Sequence, residues 1–522
     1  MEPRIYLGTM TRRLLLVPIL AAACRPSAAP VAPAPVAAPA PTTAAASGLT
    51  TAPDGWQLMD ESADHVPGIS VTKARAELLA GKAPRQVVTV AVIDGGVDTA
   101  HKDLRPILWT GDKQRFGWDF QGGPNEQDVH WDTYELTRLV VRCRKHTAPA
   151  QYTSQCPSLD ADLMKRRSDA QQQVERIRDV SQALERATAT LQRSLGSAPL
   201  TQENVKALDP TDSATARSKQ LYLVLMQRGA TPEVIADALT EIQARLDYEL
   251  NPDFDPRSIV GDNYADVHQS NYGNANVMGP DAKHGSHVTG IVHSIDSSAV
   301  RIMMVRAVPD GDERDKDIAN AIRFAVDHGA RVINMSFGKG YSPEKFAVDE
   351  AVRYADAHNV LMVHAAGNDG KDLSAYPNFP TPAYADSGHA RNWIEVGASS
   401  WQGGDTLAAS FSNYGHQQVD VFAPGVDILS TVPGDKYEKD SGTSMAAPVV
   451  TGLAALILSY YPDLSAADLK RVILASATRY TNQMIVRPGA EHGEKVPFGS
   501  LSSTGGIVNA YAALKLLQQP LQ

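Results

Sequence analysis

A three-layer α/β fold built on a parallel central sheet is what this sequence predicts, on three observations. The run VVTVAVI at 87–93 is rich in β-branched residues and closes in Asp94-Gly95-Gly96, as a strand buried on both faces and followed by a tight turn would. Comparable runs stand at 332–335, 360–363 and 393–396. Helical patterns at 316–328 and 344–357 alternate with them across short connections, and such alternation gives a parallel sheet covered on both sides. Functional groups in these sheets gather beyond the carboxyl ends of strands, which is where Asp94 falls.

The chain has 522 residues, enough for two or three domains, and 43% of them are hydrophobic, enough for a substantial core. With 49 basic and 59 acidic residues the net charge is −10, which offers no basic footprint for nucleic acid. Arg12 and Arg13 precede LLLVPILAAA, an apolar run too short to span a bilayer stably, and Cys24 follows. Residues 1–24 are expected to be an export signal, with Met10 a second candidate start. The stretch LAAAC resembles a bacterial lipobox with Cys24 as the lipidated residue, and ordinary signal-peptidase cleavage is the alternative; Ala21 stands where leucine is usual. Residues 25–53 are Pro- and Ala-rich and are read as a solvated tether, and 54–85 as an N-terminal extension. Cys143 and Cys156 are then the remaining cysteines; a disulfide is expected of an exported chain, two free thiols being the other reading.

Between about 125 and 257 the alternation stops and long polar helices take over. Ile177, Val180, Leu184, Ala187 and Leu191 form one stripe in three- and four-residue steps. Ile235, Leu239, Ile242 and Leu246 form another, after the cap Thr231-Pro232-Glu233. Two such stripes can bury each other as an antiparallel helical hairpin. Packing accounts for them, so no chemistry is assigned there; a gate over substrate or a partner-docking module is the functional expectation.

Chemistry concentrates elsewhere. HGSHVTGIV starts at His284 on a loop-to-helix junction; AAGNDG places Asn368 in a glycine-flanked loop after a strand; SGTSMAAP places Ser444 at the start of an apolar helix. Each alone is an ordinary turn or cap. A serine nucleophile would need a base, an orienting carboxylate and oxyanion donors, and Asp94, His284, Asn368 and Ser444 each fall at a predicted strand end or helix start, a joint order that separate turns and caps do not explain. A zinc reading lacks HExxH and a cysteine cluster.

The chain resembles the subtilisin family of serine proteases. VAVIDGGVDTAHKDL is similar to the family's aspartate motif, HGSHVTGIV to its histidine motif, VINMSFG to its substrate-binding strand, AAGNDG to its oxyanion motif and SGTSMAAPVVTG to its serine motif. GGIVNAYAAL resembles its last helix, and WQLMDES, DTYELTRL and RSIVGDN resemble segments of a bacterial exported branch with a long insertion between the Asp and His motifs. The resemblance implies a peptidase domain made of 86–124 and 258–517, interrupted by a helical insertion at 125–257. It implies an exported endopeptidase in which Asp94, His284 and Ser444 cleave peptide bonds through an acyl-enzyme, with Asn368 and the Ser444 amide holding the oxyanion and Thr443 supporting that site. Ser336, Phe337 and Gly338 on one side, and Ala365, Ala366 and Gly367 on the other, would pair with an extended peptide.

Some positions depart from the family. Gly95 and Ser286 replace a usual serine and threonine, and the Asn-rich calcium loop after the histidine helix is missing. Asp103 matches one calcium ligand, but a single carboxylate cannot replace six to eight oxygens, so no calcium is expected at that site; calcium elsewhere is left open with no site recognised, and no other cofactor is expected. No foldase prodomain is evident. The expected protein is a monomer acting on peptides or proteins, held in the cell envelope through Cys24, in the periplasm or at the outer membrane, or else secreted.

Overall fold

The computed structural model describes residues 40–111, 116–125, 127–296 and 299–518. The export signal, Cys24 and the tether as far as residue 39 lie outside the described residues.

Thirteen strands are present among the described residues: β1 Val88–Asp94, β2 Gly117–Asp119, β3 Val300–Arg306, β4 Val332–Met335, β5 Leu361–Ala365, β6 Trp393–Ser399, β7 Val421–Pro424, β8 Ile428–Val432, β9 Lys436–Asp440, β10 Thr478–Arg479, β11 Met484–Val486, β12 Lys495–Pro497 and β13 Gly506–Ile507. Nine of them form one sheet in the order β10-β13-β7-β6-β5-β4-β1-β3-β2. Every neighbouring pair is parallel except β10 with β13. The two-residue period of β1 explains the layering: Val88, Val90 and Val92 enter one core, while Ala91 and Ile93 enter the other. Helices Lys283–Ile295 and Thr443–Tyr460 fill the first core; Asp315–Asp327 and Lys345–Ala357 cover the second. This is the three-layer α/β arrangement that the alternation predicts.

The run from Thr443 to Tyr460 is apolar and long enough to cross a membrane by composition, yet it is 89% buried inside the molecule. It is the central core helix, and only its first turn reaches the strand ends.

The helical part between β2 and the His284 helix is larger than a hairpin. Helix Cys156–Leu195, 40 residues long, packs with both Ser213–Gln227 and Pro232–Ala244. Leu184 and Leu191 share a small core with Val205, Tyr222 and Ile235. Helix Ser213–Gln227 escaped the stripe analysis because its apolar residues, Leu221 to Met226, are contiguous rather than stepped. Val180 is 39% exposed, so the stripe drifts off the interface there. A second small core joins Leu136, Leu139 and Val140 of helix Glu135–Arg144 to Leu159, Leu163 and Leu250. Cys143 and Cys156 are bonded, with Cα atoms 5.6 Å apart, and tie the end of helix Glu135–Arg144 to the start of helix Cys156–Leu195 across the short helix Ala150–Thr153.

The tether reading stops short of residue 53. Residues 42–52 lie along the domain surface. Ala44 N–H donates to Gln483 Oε1 (2.7 Å), the Ala44 carbonyl accepts from Gln483 Nε2 (3.1 Å), and Ser47 N–H donates to the Gln402 carbonyl (2.8 Å). Ala44 and Ala52 are buried. Small side chains let this backbone come close: a Cβ at Gly403, whose φ is +64°, would stand 2.2 Å from the Ala45 carbonyl oxygen. Alanine content read as disorder is here what permits docking. Trp56, fully buried, then anchors the extension with its indole N–H on the Val426 carbonyl (2.9 Å).

Candidate active site

Asp94 closes β1 and is 2% exposed. Its Oδ1 accepts the following amide of Gly95 (2.7 Å), which fixes the carboxylate on its own turn. His284 stands in the first turn of its helix with Nδ1 at 2.8 Å from Oδ1 and 3.0 Å from Oδ2 of Asp94. Gly285 makes this approach possible, since a Cβ there would meet the Gly96 carbonyl oxygen at 2.1 Å and Asp94 Oδ1 at 3.1 Å. With Nδ1–H given to the carboxylate, Nε2 carries the lone pair of the neutral ring. Desolvation opposes the charged imidazole, although 44% of the side chain is exposed; the Asp94 charge and hydrogen bond outweigh it, helped by Asp440 and Asp281, and His284 is pushed up to about 9.

Ser444 occupies the first turn of helix Thr443–Tyr460. Its Oγ donates to the Ser336 carbonyl (3.2 Å), and its own carbonyl accepts from Ser336 Oγ (2.9 Å). A buried chain lies behind this pair: Thr451 Oγ1 donates to Asn334 Oδ1 (2.9 Å), and Asn334 Nδ2 donates to Ser336 Oγ (2.9 Å). The structure therefore unites Asp94 with His284 and Ser444 with Ser336, while Ser444 and His284 share no hydrogen bond in this state.

Asn368 follows β5. Its Oδ1 accepts from both Thr443 N–H (2.8 Å) and Thr443 Oγ1 (2.9 Å), and Thr443 Oγ1 in turn accepts from Gly367 N–H (3.0 Å). That fixes the amide with Nδ2 toward the serine loop, 3.4 Å from where a Cβ of Gly442 would be. The Ser444 N–H has no carbonyl behind it within the helix. Neither it nor Asn368 Nδ2 donates to a protein acceptor among the described residues. Two donors at a helix start with no acceptor are able to receive a negative charge.

Ser336, Phe337 and Gly338 continue β4, and Ala365 to Gly367 end β5, so the two candidate substrate segments leave neighbouring parallel strands. Asn378 sits between them: Nδ2 donates to the Ala365 carbonyl (3.1 Å), and a Cβ on Gly338 would fall 2.4 Å from its amide. Asn413 holds the Asn368 loop from beneath. Its Nδ2 donates to the Ala366 carbonyl (2.9 Å), its N–H to the Gly367 carbonyl (2.8 Å), and its Oδ1 accepts from Asp369 and Lys371 N–H (3.1 and 2.9 Å). Gly367 has φ +99°, and a Cβ there would stand 2.4 Å from Asn413 Nδ2. Sequence reasoning missed Asn378 and Asn413, which look like loop residues and carry no local signal; it also missed Asn334, the partner of Ser336 and Thr451, although a polar residue within an apolar strand was a signal.

Asp103 accepts a hydrogen bond from the Tyr437 hydroxyl. Among the described residues no group of three His, Cys, Asp or Glu side chains could hold a metal ion.

Beyond the strand ends of a parallel sheet there thus stand an aspartate-held histidine, a helix-start serine and a pair of unengaged donors, groups able to supply a base and a nucleophile. A family model for the subtilase family matches residues 85–495. A thermophilic serine proteinase of Bacillus sp. (strain AK1) is 41% identical over 228 residues, which are 42% of this chain and 51% of the relative. Subtilisin DY of Bacillus licheniformis is 37% identical over 206 residues, 37% of this chain and 70% of the relative. A cell wall-associated protease of Bacillus subtilis (strain 168) is 33% identical over 214 residues, 39% of this chain and 22% of the relative. The chain thus spans about half the length of the first of these relatives. It belongs to the subtilase family.

Proposed function

We propose that the protein is an exported serine endopeptidase that cleaves peptide bonds through Asp94, His284 and Ser444. The observation that carries this reading is the grip of His284 Nδ1 on both oxygens of Asp94, at 2.8 and 3.0 Å. It leaves Nε2 as the one ring nitrogen able to take a proton.

In the proposed cycle an extended peptide seats against 336–338 and 365–367. Ser444 Oγ leaves the Ser336 carbonyl, gives its proton to His284 Nε2 and attacks the scissile carbonyl. Asp94 stabilises the imidazolium. The tetrahedral oxyanion is received by Ser444 N–H and Asn368 Nδ2, held in place beforehand by Thr443 and Asn413. His284 then protonates the departing amine, and water resolves the acyl-enzyme by the same steps in reverse.

Export is part of the proposal: the apolar run before Cys24 supports it, as does the resemblance to a cell wall-associated protease. Lipidation at Cys24 and action as a monomer complete the reading, with peptides or proteins as substrates. Hydrolysis of a peptide library by wild type, lost in Ser444→Ala and in His284→Ala while the variants keep the wild-type circular dichroism spectrum, is the expected result. Cleavage that persists in Ser444→Ala would assign the chemistry elsewhere.

A further inference from the structure

The residue after the substrate segment 336–338 is a buried lysine that the proposed chemistry does not use. Lys339 is 4% exposed, and its ammonium meets Glu135 Oε2 at 2.9 Å, Asp315 Oδ1 at 2.8 Å and the Glu313 carbonyl at 2.8 Å. The contacts to Glu135 and to the Glu313 carbonyl are hydrogen bonds, and the one to Asp315 is an ion pair. The Lys339 backbone is held as firmly: its N–H donates to the Phe379 carbonyl (3.1 Å), and its carbonyl accepts from Phe379 N–H (2.8 Å).

Glu135 comes from a different part of the molecule. It opens helix Glu135–Arg144, is 2% exposed and also accepts from Arg138 Nη2 (2.7 Å). Asp315 caps the other side by accepting from Ser342 Oγ (2.9 Å) and Glu344 N–H (2.8 Å). Lys339, Arg138, Glu135 and Asp315 form the centre of a buried cluster that also takes in Asp132, 3.6 Å from Arg138, and Asp312, which accepts from Glu135 N–H (2.8 Å), and removing one partner there leaves its counterpart uncompensated. Farther along the same loop, Arg142 pairs with Glu344 at 2.6 Å. A swinging lid would have to break these contacts at each opening.

We propose that Glu135 is a positioning residue: acting through Lys339, it holds the main chain of 336–338 extended for peptide pairing, so that the helical segment is a fixed support of the cleft and not a gate. The inference rests on the serine-protease reading above.

Glu135→Gln keeps the shape and one acceptor oxygen but removes the charge. Steady-state kinetics on an unbranched hexapeptide and on a single-residue activated ester, each normalised to active sites by fluorophosphonate titration, separate the roles. The expected result is a KM for the hexapeptide raised about tenfold, with kcat and the ester rate within about twofold of wild type. The double variant Glu135→Leu with Lys339→Met, which removes one cation and one carboxylate together, is expected to show the same KM rise if the single variant does not fold. Wild-type peptide KM in either variant, or equal loss on both substrates, overturns the proposal. A wild-type protein that neither titrates with fluorophosphonate nor hydrolyses the ester removes the reading beneath it, and the inference with it.

Discussion

His284 and Asp94 are joined through one ring nitrogen and two carboxylate oxygens, 190 positions apart in sequence and 2.8 and 3.0 Å apart in space. The charged imidazole is favoured by this contact and by Asp440 and Asp281, which gives the site a pH signature. A base must be neutral to accept a proton. The kcat/KM for an uncharged peptide is therefore expected to rise with pH to a midpoint of about 9, and Asp440→Asn to bring that midpoint down. A midpoint near the ordinary histidine value of about 6.5 would show that the neighbouring carboxylates do not outweigh desolvation at His284. The stability linkage has the opposite sense: a raised folded pKa stabilises fully below about pH 6.5 and loses that contribution as pH climbs through about 9.

The Asn368 amide is oriented by Thr443, which bridges Gly367 N–H and Asn368 Oδ1 at 3.0 and 2.9 Å. Asn368→Ala removes an oxyanion donor and is expected to lower kcat about 10²- to 10³-fold with little change in KM. Thr443→Val keeps the donor and the backbone N–H that holds Asn368 Oδ1 but removes the hydroxyl bridge to Gly367, so a smaller loss in kcat is expected, on the order of tenfold. Pre-steady-state acylation rates measure both. Equal kcat in Asn368→Ala and wild type would take Nδ2 out of the transition state.

Gln483 holds the strap at Ala44 through two hydrogen bonds of 2.7 and 3.1 Å and is 8% exposed. Gln483→Ala is expected to destabilise by about 1–3 kcal/mol, from the lost bonds and the stranded Ala44 groups. Urea unfolding checks the magnitude, and limited proteolysis should show new cleavage within 40–53. Unchanged stability and an unchanged digestion pattern would show the strap to be unimportant.

The bond between Cys143 and Cys156 closes a loop with a sequence separation of 13. Replacing both with serine is expected to cost about 3 kcal/mol, a value set by the loop length. The loss should appear in the helical segment, read as faster amide exchange in Glu135–Arg144 and Cys156–Leu195 before any change in the sheet.

Asp94, His284, Asn368 and Ser444 were legible because each sits in a short local pattern at a strand end or helix start, and the parallel sheet was legible from strands whose two faces are both apolar. What the sequence concealed depends on distant partners. Asn413 matters through four hydrogen bonds to a loop more than 40 residues earlier, and no spacing announces that. Lys339 looks like a surface residue until Glu135, 204 positions away, is placed beside it. Helix Ser213–Gln227 has no stepped stripe to find, and the docked part of 42–52 has the composition of a linker because small side chains serve both ends. The hydroxyl of Ser444 on the Ser336 carbonyl is likewise a choice of rotamer and neighbour, outside the reach of a motif.

Mapping the adduct left by a fluorophosphonate tests the central claim most directly. Peptide mass spectrometry of the treated protein should find one phosphonylated residue, Ser444, at a rate that rises with pH and falls sharply in His284→Ala. Modification at another residue, or the same rate of labelling with His284 removed, would contradict it.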